Sequence, residues 1–206
     1  MPRILANLLS YLFHPLVLAT YLVVVLFFYA PTLLQPISTD SILAVAIMVF
    51  LLTFFIPLLS VAMLKVTKSI SSIKLENRKE RVMPFIFIAV YYGLTTYLFT
   101  YKLRMSDVLI VIFACIAVVI LIVALISTKY KISAHAAGSW GIAGFLLALN
   151  FKLPGNELLI PLTASFIIAG AISSARLALN SHSPGEVSSG AVLGFILSFG
   201  AIYIFT

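Results

Sequence analysis

The sequence predicts an all-α polytopic membrane helix bundle of about seven spans, with an active site at one membrane face. Of its 206 residues, 63% are apolar and only 9% are charged, whereas soluble domains are about a quarter charged. Seven apolar runs approach the roughly 20 residues that a helix needs to cross hydrocarbon. Three polar segments interrupt these runs and hold two of the three histidines. The polar segments are Lys74–Arg81, Ser133–His135 and Arg176–Glu186.

The seven apolar runs are predicted to be helices, because backbone polar groups in lipid must be paired within the segment and the runs lack the alternation of strands. They are approximately Ile4–Tyr29, Ile42–Leu64, Val82–Tyr101, Val108–Ser127, Ala136–Asn150, Leu158–Leu179 and Val187–Phe205. The fifth run is short, so a count of six stays open. No linker, repeat or soluble part is evident, and residues 1–206 are expected to form a single integral-membrane domain.

Two local features modify this picture of uniform helices. His14-Pro15 interrupts the first run, and we expect a kink there with a locally bonded histidine, because proline removes a helical hydrogen bond. The last three runs are rich in Gly, Ala and Ser, and they include Gly190-x-x-x-Gly194. Small residues let helices approach closely in lipid, so spans five to seven should form a tight core beside the site.

The three polar segments are predicted to share one membrane face, because two spans separate each from the next. The Lys and Arg residues favour that face by ten to three, or by seven to three if Lys74, Arg81 and Arg176 serve a ligand. The positive-inside tendency then places the N-terminus and the polar segments in the cytoplasm, with a bacterial inner membrane as the expected location. The ten are Arg3, Lys65, Lys68, Lys74, Arg78, Lys79, Arg81, Lys129, Lys131 and Arg176, and the other three are Lys102, Arg104 and Lys152.

The polar segments need an explanation, because a charged side chain near the bilayer centre costs roughly 2.5–3.5 kcal/mol on insertion scales. If residues 74–81 are helical, Lys74, Arg78 and Arg81 lie on one face, since spacings of four and seven return nearly to the same angle. Three cations on one stripe would suit a phosphate. For this segment alone, an ordinary positive cytoplasmic loop is the alternative.

The second segment, Ser133-Ala-His135, precedes a run rich in Gly and Ala. Ser133 is suited to cap the helix of that run. A helix N-terminus offers free N–H groups and partial positive charge, which favour a phosphate. The alternative is a capped helix with a histidine at the membrane interface.

The third segment carries the sharpest signal. His182 and Glu186 are one helical turn apart, so the carboxylate could hold the imidazole in one tautomer and raise its nucleophilicity. Arg176 supplies a planar fork for phosphate oxygens. Ser183-Pro-Gly-Glu186 is also typical of a capping box that starts the last span, and the two roles of Glu186 can coexist. The alternative for Arg176 and His182 is snorkelling at a span end.

Together, Lys74-x6-Arg81, Ser133-Ala-His135 and Arg176-x5-His182-x3-Glu186 resemble the three-part signature of the type 2 phosphatidic acid phosphatase superfamily. The resemblance implies that His182 attacks phosphorus, that Glu186 orients it and that His135 protonates the leaving oxygen. It implies phosphate or substrate contacts for Lys74, Arg81, Ser133, Ala134 and Arg176. No metal and no cofactor are implied.

The sequence departs from that signature at several positions. Glu186 replaces the usual aspartate, Ile132 and Ala134 stand where a proline and a glycine usually flank the serine, and Ala175 replaces a serine. Pro84 comes two residues later than the family pattern. These departures concern substrate fit and rate more than the class of reaction.

The expected function is metal-independent hydrolysis of a membrane lipid phosphate or pyrophosphate through a phosphohistidine intermediate. Nucleic acid is not an expected partner, because the net charge of +7 is distributed over short loops between apolar runs. The alternative is a non-catalytic lipid-phosphate binding or transport protein with the same fold, and a vanadate-dependent oxidative enzyme is more remote. The sequence leaves open the lipid and the oligomeric state.

Overall fold

The predicted all-α bundle is found in the computed structural model, which describes residues 1–73, 75 and 77–206. Nine α-helices and several short turns of other helix types make up most of this part of the chain, and it contains no strand. The helices are α1 (Arg3–Leu12), α2 (Pro15–Tyr29), α3 (Ile42–Phe50), α4 (Ile56–Val66), α5 (Val82–Tyr97), α6 (Asp107–Ser127), α7 (Ala134–Lys152), α8 (Leu159–Ala178) and α9 (Pro184–Phe205).

Two of the long apolar helices contain segments of other helix types. A π-helical segment, Leu51–Phe55, joins α3 to α4, so Ile42–Val66 is one helix of 25 residues. A 3₁₀ turn, Arg78–Arg81, precedes α5 and a π-helical segment, Leu98–Lys102, follows it, which extends that helix to 25 residues as well. Short 3₁₀ turns at Pro31–Leu34 and Thr39–Ser41 lie between α2 and α3.

Five helices in the described residues are long and apolar enough to cross a membrane, or six if the bent pair of α1 and α2 counts as one span. The predicted first span over Ile4–Tyr29 consists of two helices, α1 and α2. Its two helices are bent by 62° where the chain passes Phe13 and His14. Pro15 begins α2 and His14 caps it, accepting a hydrogen bond from Leu16 N at 3.3 Å. The expected kink with a locally bonded histidine is therefore present.

Helix α7 is the predicted fifth span, and it is not among the five candidate spans. Its 19 residues reach about 28 Å, which is nearly the thickness of the hydrocarbon core. However, Gly, Ser and His reduce its hydropathy. Ten of its residues are buried by neighbouring helices, so it has little need of a lipid-compatible surface. A count of seven spans stays a prediction.

Helices α7 and α9 pack with their backbones in contact, as the small residues predict. A Cβ atom on Gly190 would lie 2.5 Å from the carbonyl oxygen of Ser133, and one on Gly194 would lie closer still to that of Ala137. Only glycine permits this approach. The contact places the first turn of α9 against the first turn of α7, where Ser133 N donates to Glu186 O at 3.0 Å.

Helices α5 and α6 pack through large side chains instead. Phe113 of α6 lies between Tyr92 and Phe99, with ring centroids 6.0 Å and 5.0 Å apart. All three rings are buried. This half of the bundle is held by side-chain contacts between aromatic and aliphatic residues.

Candidate active site

The three polar segments meet at one end of the bundle. Arg81 of the first segment donates from Nη1 to Ile132 O at 3.4 Å, next to the second segment. His182 of the third segment contacts Lys131 O through Nδ1 at 3.2 Å. The described residues of the three segments therefore converge at one end of the bundle, as expected for segments on one face. Lys74, the first residue of the predicted set, lies outside the described residues.

A sharp turn at the end of α8 positions His182. Asn180 adopts the left-handed conformation with φ 52°, which asparagine tolerates better than most residues. Ser181 N donates to Arg176 O at 3.1 Å and Asn180 N donates to Leu177 O at 2.9 Å. This pair of bonds forms a Schellman motif, which ends α8. The chain is thus free to begin α9 only a few residues later.

His182 and Glu186 are in direct contact. Nδ1 of His182 lies 2.9 Å from Oε2 of Glu186. The same carboxylate oxygen accepts from Ser183 N at 3.1 Å, and Ser183 Oγ accepts from Glu186 N at 3.3 Å. The predicted capping box is confirmed, and Glu186 contacts the imidazole while it caps α9. The longer glutamate side chain reaches the histidine without losing the cap.

The surroundings of His182 assign its tautomer. Both groups next to Nδ1, the Lys131 carbonyl and the Glu186 carboxylate, are acceptors, so Nδ1 carries the proton and Nε2 carries the lone pair. Burial lowers the pKa of His182 to about 4; the Glu186 hydrogen bond opposes this, and the charges of Arg81 and Arg176 add to it. The ring is therefore neutral at pH 7.

Arg81 is buried at the centre of this end of the bundle, with 6% of its surface exposed. Its Nε donates to Leu75 O at 2.6 Å, and its Nη1 donates to Ile132 O. Its charge interacts with those of Arg176 and Glu186. Carbonyl oxygens thus hold the guanidinium through two of its three nitrogens.

The expected stripe of cations on one helix over Lys74–Arg81 is not formed. Leu75 has a left-handed φ of 51° and Asn77 is extended, so helical structure begins only with the 3₁₀ turn at Arg78. Asn77 caps this turn by accepting from Lys79 N at 3.2 Å. Arg78 donates to the Lys129 carbonyl and thereby ties the loop to the end of α6. Arg81 alone of the described cations in this segment is buried.

The guanidinium of Arg176 is only partly hydrogen-bonded. Its Nη1 donates to Ser10 Oγ at 3.3 Å. Its Nε is buried and has no hydrogen-bond partner among the described residues. A buried N–H without a partner costs about 1–3 kcal/mol, more for a charged group, so an acceptor brought by a ligand would be favoured here.

The second segment begins α7 as expected. Ser133 is fully buried, and its Oγ accepts from Ala136 N at 3.4 Å as the cap of the helix. His135 Nε2 lies 3.2 Å from Ser10 O, and its ring lies edge-on to His14 with centroids 5.6 Å apart. His135 is close enough to Arg176 and His182 for their charges to interact. Ala134 faces an apolar cavity.

That apolar cavity lies between α2, α5, α6 and α7. Its lining includes Ala134 and Ala137 of α7, Phe85 of α5 and Val123 of α6. Pro15, which follows His14, lines it as well. An apolar space therefore adjoins the polar site at the first turns of α2 and α7.

Sequence reasoning missed Ser10. Both of its long-range hydrogen bonds are to predicted site residues, yet they join positions 125 and 166 residues apart in the chain. A serine within the first apolar run carries no local signal of such contacts. The nearest indication was the predicted kink at His14-Pro15, which turns α1 toward α8.

The arrangement combines a neutral histidine with a free ring nitrogen, a second histidine and two guanidinium groups. Such a set can attack an electrophilic centre and neutralise the charge of an anionic substrate. Within the described part of the chain, no three His, Cys, Asp or Glu side chains are grouped as metal ligands. Comparisons with protein-family models, curated proteins and solved structures found no match.

Proposed function

We propose that the protein is an integral-membrane phosphatase that hydrolyses a lipid phosphate or pyrophosphate through a phosphohistidine intermediate. The observation that carries this proposal is the position of His182. Its Nδ1 is held by Glu186 and by the Lys131 carbonyl, and Arg81 and Arg176 are near enough for their charges to act on it. Its Nε2 has no hydrogen-bond partner among the residues that the structure describes. This is the environment of an activated nucleophile for an anionic substrate.

In the first step, the lone pair of His182 Nε2 forms a bond to phosphorus while the bond from phosphorus to the leaving oxygen breaks. His135 takes up a proton when the anionic phosphate binds beside it, and it delivers this proton to the leaving oxygen. Positive charge that develops on the His182 ring is stabilised by the Glu186 carboxylate at Nδ1. His182 enters the step neutral because burial lowers its pKa below its ordinary value.

The equatorial phosphoryl oxygens carry the negative charge of the transition state, and phosphoryl transfer depends mainly on position and on compensation of this charge. Arg81 and Arg176 supply two guanidinium groups for this purpose. The first turn of α7 adds free backbone N–H groups and the positive end of a helix dipole beside Ser133. These groups are fixed by the fold before substrate binds.

In the second step, a water molecule attacks the phosphorus of the phosphohistidine and gives one proton to His135. The bond between phosphorus and Nε2 breaks, its electron pair returns to the His182 ring, and inorganic phosphate leaves. His182 is then neutral and His135 is protonated again. The cycle consumes one water and needs no redox partner.

A lipid substrate is favoured over a soluble one by the surroundings of the site. Arg81, Arg176 and Glu186 lie near the ends of helices that are long and apolar enough to cross a membrane. The apolar cavity beside Ala134 and Pro15 could accept hydrocarbon while the phosphate lies among the charged residues.

The test measures phosphate release by the purified protein in detergent across phosphatidate, phosphatidylglycerol phosphate, polyprenyl diphosphate and a phosphorylated lipid A. His182→Ala should reduce release by about 10³-fold or more, since it removes the nucleophile. A phosphoenzyme labelled from substrate, stable to base and labile to acid, should form in wild type and be absent in the variant.

Two results would end the proposal. Phosphate release by folded His182→Ala at the wild-type rate would exclude His182 as the nucleophile. Lipid-phosphate binding that requires Arg176, without release of phosphate from any lipid of the panel, would favour the non-catalytic binding protein instead. Thermal unfolding in detergent shows whether the variant is folded.

A further inference from the structure

We propose that Ser10 of α1 is a positioning residue of this site, fixing the guanidinium of Arg176 through its hydroxyl and the ring of His135 through its carbonyl. This inference rests on the proposed function for the identity of the ligand, a phosphoryl group. It adds a helix that none of the three polar segments includes. The two contacts are Arg176 Nη1 to Ser10 Oγ at 3.3 Å and His135 Nε2 to Ser10 O at 3.2 Å.

The hydroxyl of Ser10 holds Arg176 on the side that leaves its binding edge open. A guanidinium presents Nε–H and one N–H of Nη2 along the same edge, where they can bind two oxygens of a phosphate together. Ser10 takes Nη1 instead. Nε is buried and has no hydrogen-bond partner within the described residues. The guanidinium is thus oriented while the Nε of its two-oxygen edge is unused.

The carbonyl of Ser10 acts in a similar way on His135. Because a carbonyl only accepts, Nε2 of His135 must carry a proton when it bonds to Ser10 O. Nδ1 is then the nitrogen available to exchange a proton with substrate. Ser10 thus fixes the tautomer of His135 as Glu186 fixes that of His182. Ser10 contacts Nε2 of His135, whereas Glu186 contacts Nδ1 of His182.

The bend between α1 and α2 brings Ser10 to this position. The pair is bent by 62°, which turns α1 across the end of α8. Ala6 and Ser10 form the buried face of α1, and both are small enough for close packing. Leu8 and Tyr11 on its other side are 59% and 64% exposed. The buried face of α1 therefore contributes little hydrophobic area to the core. Its small residues instead let α1 approach the neighbouring helix closely.

A double-mutant cycle on anion binding tests the inference. Orthovanadate, a phosphate-shaped anion, is titrated into wild type, Ser10→Ala, Arg176→Lys and the double variant, all purified in detergent. Ser10→Ala should weaken binding roughly tenfold, the effect of losing one hydrogen bond to a charged group. In the Arg176→Lys background, Ser10→Ala should change vanadate binding less than twofold. The effects of two substitutions are not additive when one residue acts through the other. Ser165→Ala, which removes a buried hydroxyl bonded only within α8, should bind like wild type.

The outcomes separate this inference from the proposed function. If Arg176→Lys loses binding while Ser10→Ala does not, or if the two effects add, Ser10 does not position Arg176 and the inference fails, although phosphate release can still stand. If the cycle shows the expected coupling but no lipid releases phosphate, the inference holds and the phosphatase proposal fails. If Ser10→Ala does not fold, Ser10→Cys replaces it in the cycle. The expected loss of vanadate binding and the expected coupling to Arg176→Lys are the same.

Discussion

The two halves of the bundle are packed in different ways. Helices α7 and α9 touch through their backbones, where Gly190 and Gly194 leave no room for a side chain. Helices α5 and α6 touch through rings, with Phe113 between Tyr92 and Phe99. A backbone contact fixes the relative position of two helices more tightly than flexible side chains do, because no rotamer change can accommodate a displacement.

This difference explains why the candidate site lies at the end of α7 and α9. Its histidine and arginine side chains are held largely by backbone carbonyls: Lys131 O for His182, Ile132 O and Leu75 O for Arg81, and Ser10 O for His135. A carbonyl can orient a side chain only as well as its own backbone is placed. The backbone contact of α7 with α9 helps to place two of these carbonyls, those of Lys131 and Ile132, which directly precede Ser133 and α7.

Gly194→Ala should break this arrangement most severely. The added Cβ would overlap the Ala137 carbonyl, so α9 must move away from α7 and the contact between Ser133 and Glu186 should be lost. We expect a loss of about 3 kcal/mol or more in unfolding free energy, together with loss of phosphate release. Unfolding in detergent and the phosphate assay measure the two effects.

Gly200→Ala is the matched control on the same helix. A Cβ at Gly200 meets no atom within 4 Å, and alanine favours a helix by up to about 1 kcal/mol over glycine. This variant should be as stable as wild type or slightly more so, with unchanged activity. Equal behaviour of the two variants would show that α7 and α9 are not held together through Gly194.

Glu186→Gln tests the charge of the carboxylate at the start of α9. Glutamine can keep the cap, since its amide oxygen still accepts from Ser183 N, but it removes the charge next to His182 Nδ1. We expect phosphate release to fall about 10- to 100-fold, the effect of losing a charged hydrogen-bond partner in the transition state. Stability should change little. Glu157→Gln, in the loop before α8, is the control and should retain full activity.

The pH profile gives a second measurement on the same variant. The Glu186 hydrogen bond raises the pKa of His182 against the larger effect of burial, so its loss should lower that pKa further. Because the attacking form is neutral, the fall in rate on the acidic side should begin at lower pH in Glu186→Gln than in wild type. A shift of this limb to higher pH would mean that the carboxylate does not contact His182 in the working protein.

Sequence patterns could predict the features that depend on local spacing. The cap at Ser133, the capping box from Ser183 to Glu186 and the close approach at Gly190 and Gly194 follow from residue types a few positions apart, and all are present. The meeting of the polar segments followed from counting spans. These features need no knowledge of how distant helices are arranged.

The features that were missed depend on contacts between distant residues. Ser10 is an ordinary residue in an apolar run, and only the 62° bend and the packing of α1 on α8 give it partners. The condition that residues 74–81 form a helix is not met by the described residues, since Leu75 is left-handed and Asn77 is extended, and Arg81 donates to the carbonyls of Leu75 and Ile132. Both features involve hydrogen bonds between residues far apart in the chain, which local sequence patterns do not report.

Phe113→Leu tests the other half of the comparison and should have the smallest effect. Leucine fills part of the space between Tyr92 and Phe99, and the neighbouring side chains can adjust because no backbone contact constrains them. We expect a loss of about 1 kcal/mol in unfolding free energy and phosphate release within about twofold of wild type, since local packing changes add independently of distant sites. If instead this variant lost activity as Gly194→Ala is expected to, the ring cluster would also be required to hold the site, and the distinction between the two halves would not stand.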